Sequence, residues 1–317
     1  MNLIDIFEAR RRIAQYVRRT PLVASAWLSD AAGARVSLKL ESLQISNSFK
    51  SRGALNAVVA RLERGGAAPK QLVTASAGNH GRALAAAAQT FRLPLVVFTP
   101  ADAPQTKLAA IRRHGAELRA EGRDYDDAER LAKAHAKKTG AEFISPYNDA
   151  DVIAGAATVA IEIFEDASDT TVLVVPIGGG GLISGMAAAA KALAPGCEVI
   201  GVEAEASCAF QTSVRAGTLV DIIPGPTLAD GLGGNPDPAT ITFAMIQRDV
   251  DRIVTVSESD LASAIAGLVE AEHLIAEGAG AAATAAVLGR RVDVSGRRVA
   301  IVVSGSNIDR TRLSGLL

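Results

Sequence analysis

Residues 171–185 read TVLVVPIGGGGLISG, and this segment indicates the fold more clearly than any other. The segment begins with aliphatic and β-branched residues, a composition that favours a strand buried on both faces. Pro176 and four consecutive glycines then precede a second apolar run. The uncharged stretch 172–190 is long enough to raise the question of a membrane span, but the proline and glycines would break a spanning helix in mid-membrane. The sequence therefore predicts a buried strand, a glycine loop and a helix.

The same alternation of strand and helix patterns extends along the chain in both directions. Short runs rich in β-branched residues are separated by alanine-rich segments with helical spacing, such as residues 53–64. The predicted strands are 72–76, 94–100, 141–145, 171–177, 198–204, 252–256 and 298–304. Strands that alternate with helices usually form parallel sheets. We therefore predict an α/β protein.

Composition narrows the range of partners and compartments. The chain has 317 residues, with 33 Lys and Arg against 34 Asp and Glu, so its near-neutral charge suggests neither a nucleic-acid partner nor an anionic membrane surface. Its length suits two domains, or one large domain with an insertion. Two cysteines, Cys197 and Cys208, are too few for a disulfide framework, and residues 1–20 lack the apolar core of a signal peptide. We expect a cytoplasmic protein.

Four loops at or near predicted strand ends contain small and polar residues, and ligands bind at such ends in open parallel sheets. The loops are NSFKSRG (47–53), TASAGNHG (74–81), PIGGGGLISG (176–185) and VSGSN (303–307). Gly178, Gly179, Gly180 and Gly181 allow backbone amides to turn toward one point at a helix start, which favours phosphate binding. An ordinary tight turn needs only one or two glycines. Because Walker and G-x-G-x-x-G spacings are lacking, we expect a phosphate on a smaller group.

A lysine and a second anion-binding loop narrow the chemistry further. Lys50 follows Phe49 at the start of a predicted helix, where the macrodipole and an apolar neighbour disfavour the ammonium form and favour a Schiff base. Ser76, Asn79 and His80 offer donors for a carboxylate at the next helix start. The alternatives are a solvated surface lysine and a helix capped by Asn79 or Ser76. Taken together, the features indicate pyridoxal 5′-phosphate holding an amino acid.

The motifs, taken as a set, resemble those of a known family. NSFKSRGALNAV, TASAGNHG, PIGGGGLISG, TLADGL, AEGAGAAA and VVSGSNID follow one another across nearly the whole chain. They look like the motifs of threonine/serine dehydratases and serine racemases, which are fold-type II pyridoxal-phosphate enzymes. The resemblance implies the two-domain parallel-sheet fold of the tryptophan synthase β-like enzymes. It implies a large cofactor-binding domain from residues 1–60 and 150–317, and a small mobile domain from 61–149 that takes the substrate carboxylate.

The resemblance also implies a role for each candidate residue. Lys50 would form the Schiff base with the cofactor, and Asn79 would hydrogen-bond its 3-hydroxyl. The remaining cofactor contacts would be Phe49 beside the cofactor, Gly178 to Gly181 at the phosphate, Ser304 at the pyridine nitrogen and Glu277 near the cofactor. Ser76, Asn79 and His80 would bind the substrate carboxylate. For Glu277, a first-turn carboxylate favoured by the helix dipole is the alternative.

The activity implied is that of a lyase in amino-acid catabolism. It removes the β-hydroxyl and the amine of L-threonine or L-serine, releasing a 2-oxo acid and ammonia. A neutral hydroxyl at Ser304 makes the ring a weaker electron sink than a carboxylate would, which favours prompt elimination. A homodimer or homotetramer is expected. Serine racemase activity, and dehydration of 3-hydroxyaspartate or a bulkier substrate such as phenylserine, are the alternatives.

Three differences from related motifs bear on the expected reaction and on metal binding. Racemases of the family resemble SSGNHG at the carboxylate loop and use the second serine as a base, whereas this chain has Ala77 there. The β-replacement synthases usually carry N-P-x-S-x-K-D-R, but the segment around Lys50 has neither that proline nor that aspartate. Glu203 aligns with a carboxylate that binds a divalent cation in some relatives. Ala209 occupies the place of the second ligand, so we expect no metal, with a cation held by Glu203 and backbone carbonyls as the less favoured alternative.

Overall fold

The computed structural model describes residues 1–65 and 68–317, which form ten strands and thirteen α-helices. The strands are β1 Leu22–Ala24, β2 Arg35–Lys39, β3 Leu72–Ala75, β4 Leu95–Pro100, β5 Glu117–Gly122, β6 Glu142–Phe143, β7 Val172–Pro176, β8 Glu198–Ala204, β9 Arg252–Val256 and β10 Arg298–Val302. The helices are α1 Leu3–Ile13, α2 Ala26–Ala32, α3 Lys50–Glu63, α4 Asn79–Thr90, α5 Gln105–Arg112, α6 Tyr125–Thr139, α7 Ala150–Asp166, α8 Gly181–Leu193, α9 Ala209–Ala216, α10 Thr242–Asp249, α11 Glu258–Glu272, α12 Gly278–Leu288 and α13 Arg310–Ser314.

The strands are arranged in two sheets. The larger has the order β1-β2-β10-β7-β8-β9, and all its neighbours are parallel except the antiparallel pair β1 and β2. The smaller has the order β5-β4-β3-β6 and is parallel throughout. The predicted α/β class is confirmed, and all seven predicted strands are present, each within two residues at either end. The smaller sheet lies within residues 72–143, inside the segment predicted as the small domain.

Three strands escaped sequence prediction for identifiable reasons. β1 has only three residues, and β2 begins and ends with the charged residues Arg35 and Lys39. β5 is an edge strand whose side chains are largely exposed, so it lacks the apolar signal of the others. Short or solvated edge strands such as β1 and β5 carry little hydrophobic pattern, since pairing rather than burial forms them. The interior strand β2 is mostly buried but has only two apolar residues, Val36 and Leu38.

The predicted central strand is buried on both faces. Val172 and Val174 of β7 pack in the hydrophobic cluster that contains α11 and α12, while Leu173 and Val175 pack with α7 and α8 on the other side. This arrangement explains the uninterrupted apolar run in β7. Within residues 1–65 and 68–317, every helix is too short or too polar to cross a bilayer.

Helix α3 begins at Lys50, three residues earlier than the predicted start at Gly53. Gly53 lies inside the helix, where a Cβ atom would come within 2.7 Å of the Val152 carbonyl oxygen of α7. A Cβ atom on Gly155 of α7 would likewise collide with the backbone of Arg52. The two glycines therefore mark a close contact between α3 and α7 and not the helix start.

Beside this contact lies a cluster of four buried charged side chains. Arg52 Nη2 donates to Glu41 Oε1 at 2.8 Å, and its Nη1 donates to Glu162 Oε1 at 2.7 Å. Lys39 Nζ donates to Glu162 Oε2 at 2.6 Å. All four residues are less than a tenth exposed, and their two positive and two negative charges balance. The cluster therefore joins the first turn of α3 to β2, to the 3₁₀ turn Glu41–Leu43 and to α7.

The cluster predicts a large stability loss when its shared cation is removed. Arg52→Met leaves Glu41 and Glu162 buried with Lys39 as the only remaining cation. Breaking a buried ion network in this way costs about 3–5 kcal/mol of unfolding free energy. Urea denaturation followed by circular dichroism measures that free energy.

Arg64→Met is the matched control. The Arg64 side chain is 61% exposed and pairs with Asp151 at the surface, so its loss should cost less than about 1 kcal/mol. If the Arg52 and Arg64 variants lost equal unfolding free energy, the buried cluster would not hold α3 in place.

Candidate active site

A cavity of about 880 Å³ opens at the carboxyl ends of β3, β7 and β10. Every residue that the sequence singled out for the site contributes to its wall. These residues are Phe49, Lys50, Ser76, Asn79, His80, Gly178, Gly179, Gly180, Gly181, Glu277 and Ser304. The structure thus brings together residues spread over more than 250 positions of sequence.

Six helices have their N-cap residue in the cavity wall: α3, α4, α6, α8, α12 and α13. In α3, α4, α8 and α12 the N-cap residues are Phe49, Gly78, Gly180 and Glu277, and none of these caps its helix with a side-chain hydrogen bond. The alternative reading in which Asn79 or Ser76 caps α4 is therefore wrong. At α6, by contrast, the Asp124 carboxylate caps the helix by accepting the Asp127 backbone N–H at 2.8 Å. Uncapped first-turn amides at one cavity suit anionic ligands.

The glycine loop is tightly enclosed, and its shape depends on the missing side chains. A Cβ atom on Gly179 would collide with the Tyr147 ring, and one on Gly178 would lie 2.9 Å from the Gly231 carbonyl oxygen. Gly180 has a φ of +84°, which favours glycine. The loop carries no cationic side chain, so backbone amides are the groups it offers to a phosphate.

Lys50 points from the first turn of α3 into the cavity. Its Nζ donates to the Pro146 carbonyl oxygen at 2.8 Å and lies 5.0 Å from the centre of the Phe49 ring. Burial lowers the pKa of the Lys50 amine to about 8. The neutral, nucleophilic amine is therefore far more populated near neutral pH than it is for an exposed lysine, which suits a Schiff-base lysine.

His80 is held without a charge. Its side chain is buried, and neither ring nitrogen finds a hydrogen-bond partner among residues 1–65 and 68–317. Burial, together with the nearby positive charge of Lys50, lowers the pKa of His80 to about 3. The imidazole is therefore neutral at physiological pH, and its unpaired polar atoms leave it free to bond to a ligand.

Glu277 and Asn79 face each other across the cavity wall. Asn79 Nδ2 donates to Glu277 Oε1 at 2.5 Å. Burial raises the pKa of Glu277 to about 7, although the bond from Asn79 opposes that shift. Gly305 permits this approach, because a Cβ atom there would collide with the Glu277 carboxylate. Glu277 occupies the N-cap position of α12, but its side chain bonds to Asn79 and does not cap the helix.

Ser304 lies in a loop that is fastened to the lysine loop. Its carbonyl oxygen accepts the Phe49 backbone N–H at 3.0 Å, and Ser48 and Gly305 form an antiparallel bridge. The Ser304 hydroxyl is buried and donates to the Ala279 carbonyl oxygen at 3.3 Å. The loops at 47–50 and 303–307 are therefore held together by their backbones.

Glu203 lies outside the cavity wall. Its two carboxylate oxygens accept the backbone N–H groups of Phe210 at 2.9 Å and Gln211 at 2.7 Å, at the start of α9. Burial raises the pKa of Glu203 to about 7. In the described part of the chain, no three His, Cys, Asp or Glu side chains cluster as metal ligands would.

The cavity also contains residues that the sequence did not single out. Tyr147 packs on the glycine loop, and its hydroxyl accepts the Asp237 backbone N–H at 2.8 Å. Arg82 and Asn307 line the wall beside Asn79. Asn307 belongs to the VSGSN loop, which the sequence analysis identified, but the sequence did not indicate its hydrogen bond to Asn79. For Tyr147 the sequence carries no comparable signal.

These features fit pyridoxal phosphate. The glycine loop leaves space that side chains would fill, and the amine of Lys50 is the nucleophile that an aldehyde requires. The unpaired nitrogens of His80 and the uncapped helix starts await polar partners.

Comparison with known proteins agrees with this chemistry. Residues 13–305 match the model of a family described as "Pyridoxal-phosphate dependent enzyme". An L-threonine ammonia-lyase of Thermotoga maritima is 43% identical over 309 residues, which cover 98% of this chain and 76% of that protein. An L-threo-3-hydroxyaspartate ammonia-lyase of Saccharomyces cerevisiae is 37% identical over 313 residues, which cover 99% and 95%.

The fold is shared with a solved structure. Maize serine racemase superposes with a TM-score of 0.92 at 31% identity, covering 99% of this chain and 96% of that one. The superposition covers nearly the whole chain, both sheets included, and confirms the predicted fold-type II architecture.

The geometry of the glycine loop predicts the effect of adding a side chain there. Gly179→Asp places a carboxylate against Tyr147 and brings negative charge to the expected phosphate site. We expect a loss of at least about 100-fold in affinity for pyridoxal phosphate, because the amide cradle is both blocked and repelled. Equilibrium dialysis of the refolded apoprotein with the cofactor measures this affinity.

Gly196→Asp provides the control, since a Cβ atom on Gly196 meets nothing within 4 Å and the residue lies outside the cavity wall. Its affinity should equal that of the wild type. Unchanged cofactor affinity in Gly179→Asp would show that the phosphate binds elsewhere.

Proposed function

Because the chain belongs to the family of pyridoxal-phosphate-dependent enzymes, we propose that it dehydrates and deaminates a 3-hydroxy amino acid such as L-threonine or L-serine. The products would be a 2-oxo acid and ammonia. The observation that carries this proposal is the convergence of the Lys50 amine, the glycine loop and the Ser76 to His80 loop on one cavity. In this proposal Lys50 holds the cofactor aldehyde, the glycine loop binds the cofactor phosphate, and the Ser76 to His80 loop binds the substrate carboxylate.

The cofactor, when bound, supplies an aldehyde for amines and a ring that withdraws electrons from the substrate α-carbon. Lys50 is the residue proposed to hold it. The lowered pKa of Lys50 lets its amine accept a proton from the α-carbon once the substrate is bound. The Pro146 carbonyl oxygen, 2.8 Å from Nζ, orients that amine inside the cavity.

The Ser76 to His80 loop is proposed to bind the substrate carboxylate. The first-turn amides of α4 are not capped by Gly78, and an anion at this position gains from the helix dipole. The Ser76 hydroxyl already accepts the Gly78 backbone N–H at 3.2 Å, which shapes the loop. A neutral His80 adds a donor without adding charge.

The neutral side chain of Ser304 favours elimination. Ser304, the residue proposed to face the ring nitrogen, carries a buried hydroxyl and not a carboxylate. A hydroxyl stabilises a protonated ring nitrogen less than a carboxylate does. The cofactor, when bound beside Ser304, would therefore withdraw electrons from the α-carbon less strongly, which would favour loss of the β-hydroxyl over reprotonation.

Threonine, serine and 3-hydroxyaspartate are the substrate candidates that the names of the relatives suggest. Racemisation of serine is the second candidate function, and the similarity to maize serine racemase favours it. Ala77 argues against it, because alanine lines the cavity where related racemases carry a serine base. A methyl group cannot deliver a proton to the second face of the α-carbon.

We also propose that residues 61–149 form a small mobile domain and that 1–60 with 150–317 form the large one. The separate four-stranded sheet supports this division. Two ion pairs connect the segments: Lys107 with Asp230 at 2.6 Å in the cavity wall, and Lys133 with Asp237 at 2.5 Å outside it. Such surface pairs are weak enough to open and close.

A cytoplasmic homodimer or homotetramer completes the proposal. Both cysteines are free, which suits a reducing compartment. On α1, Ile4 is 69% exposed and Phe7 is 45% exposed, and exposed apolar side chains on one helix suit a subunit contact. Sedimentation velocity would measure the oligomeric state.

The proposed function predicts which product leads when L-serine is supplied. Pyruvate should form much faster than D-serine, because Ala77 cannot protonate the opposite face while Lys50 can only return the proton to its own face. Steady-state and single-turnover incubations that follow D-serine and pyruvate together provide the measurement. L-threonine should release 2-oxobutanoate in parallel assays.

Ala77→Ser restores the missing hydroxyl and should raise the ratio of D-serine to pyruvate by at least about 10-fold, a smaller effect than the roughly 100-fold or more that a well-positioned general acid or base contributes. If the wild-type enzyme made D-serine as fast as pyruvate, the dehydratase proposal would give way to the racemase.

A further inference from the structure

A chain of polar side chains runs from Arg82 to Glu277 along the cavity wall. Arg82 Nη1 donates to Asn307 Oδ1. Asn307 Nδ2 donates to Asn79 Oδ1 at 2.6 Å, and Asn79 Nδ2 donates to Glu277 Oε1 at 2.5 Å. A cation therefore lies at one end and a carboxylate at the other, with two amides between them.

The two amides point in the same direction. Each directs its oxygen toward the Arg82 end and its NH₂ group toward Glu277, so every donor meets an acceptor. If the Asn79 amide were reversed, its oxygen would face the Glu277 carboxylate and repel it. Asn307 has two further bonds, from Asn47 Nδ2 at 3.3 Å and to the Ser46 carbonyl oxygen at 3.0 Å. These agree with the direction set by Arg82.

Arg82 is a cavity-lining cation that donates to an amide and not to a carboxylate. Its side chain is half-buried in the cavity wall and, in the ranges 1–65 and 68–317, pairs with no carboxylate. Lys107, by contrast, is paired with Asp230. A guanidinium commonly binds carboxylates through two parallel bonds, whereas this one donates to a single amide oxygen. The contact with Asn307 is thus its principal polar interaction in the described structure.

We propose that Arg82 and Asn307 are positioning residues, which hold the Asn79 amide with its NH₂ group toward the Glu277 carboxyl group. The inference rests on the proposed function, because Asn79 is the residue expected to contact the cofactor hydroxyl. It extends that function by assigning a task to two side chains that need not touch the reacting atoms.

The charges around Glu277 fix the sign of the expected effect. Burial raises its pKa to about 7, the bond from Asn79 lowers it, Asp230 raises it, and Lys107 and Arg82 lower it. Loss of Arg82 removes a positive charge near Glu277 and leaves the Asn79 amide free to reverse its orientation. Both changes disfavour the ionised form of Glu277. The protonation midpoint of Glu277 therefore moves to higher pH.

The visible absorption of the bound cofactor, recorded as a function of pH, tests this inference without relying on turnover. Reversal of Asn79 would replace a donor with an acceptor beside the cofactor hydroxyl and change the absorption. The spectral midpoint is the pH at which the absorption change that accompanies protonation of Glu277 is half complete. In Arg82→Met, we expect this midpoint to rise by about one pH unit. Asn307→Asp should raise it too, because aspartate cannot donate to Asn79. Arg82→Lys, which keeps the charge, should fall between Arg82→Met and the wild type.

Arg113→Met is the matched control. Arg113 is an exposed cation close enough to lower the pKa of Arg82, and it has no hydrogen bond to Asn307. Its removal should leave the midpoint unchanged. The inference is overturned if Arg82→Met keeps the wild-type midpoint, or if Arg113→Met shifts it equally. A wild-type protein without cofactor absorption would instead overturn the proposed function.

Discussion

The position of Lys50 in the cavity depends on four buried charged side chains that lie outside the cavity wall. Arg52, two residues from Lys50, is bound by Glu41 and Glu162 in the buried interior, and Lys39 completes the cluster. Because Arg52 lies in the first turn of α3, these bonds fix where that helix begins and which way Lys50 points. Buried ion pairs contribute little net stability but penalise alternative arrangements strongly. The cluster therefore acts as a geometric constraint on the lysine.

The cavity combines backbone amides at helix starts with a few buried side chains whose pKa values are shifted. The starts of α4 and α8 offer amides without competing caps, so anions can bind without a cluster of surface cations. Burial then adjusts the side chains that remain, lowering the pKa values of Lys50 and His80 and raising that of Glu277. Each shift follows from low polarity in the cavity wall, which disfavours the charged form.

Local pattern was enough to predict the parallel strands and the loops that line the cavity. β7 reads as a buried strand because both its faces are covered, and the four glycines are explained by the neighbours that Cβ atoms would meet. What escaped prediction depends on distant partners. Nothing in the sequence around Arg52 indicates that Glu41 and Glu162 enclose it, and Asn307 gains meaning only when it meets Arg82. The exposed edge strand β5 has too little apolar character to be recognised.

The central claim is that Lys50, held by the start of α3, carries the cofactor. Borohydride reduction of the holoenzyme, followed by peptide mapping, tests it most directly, because reduction makes the bond between lysine and cofactor permanent. We expect a phosphopyridoxyl group on Lys50, in the peptide that contains NSFKSRG. A label on another lysine, such as Lys107 at the cavity wall, would contradict it.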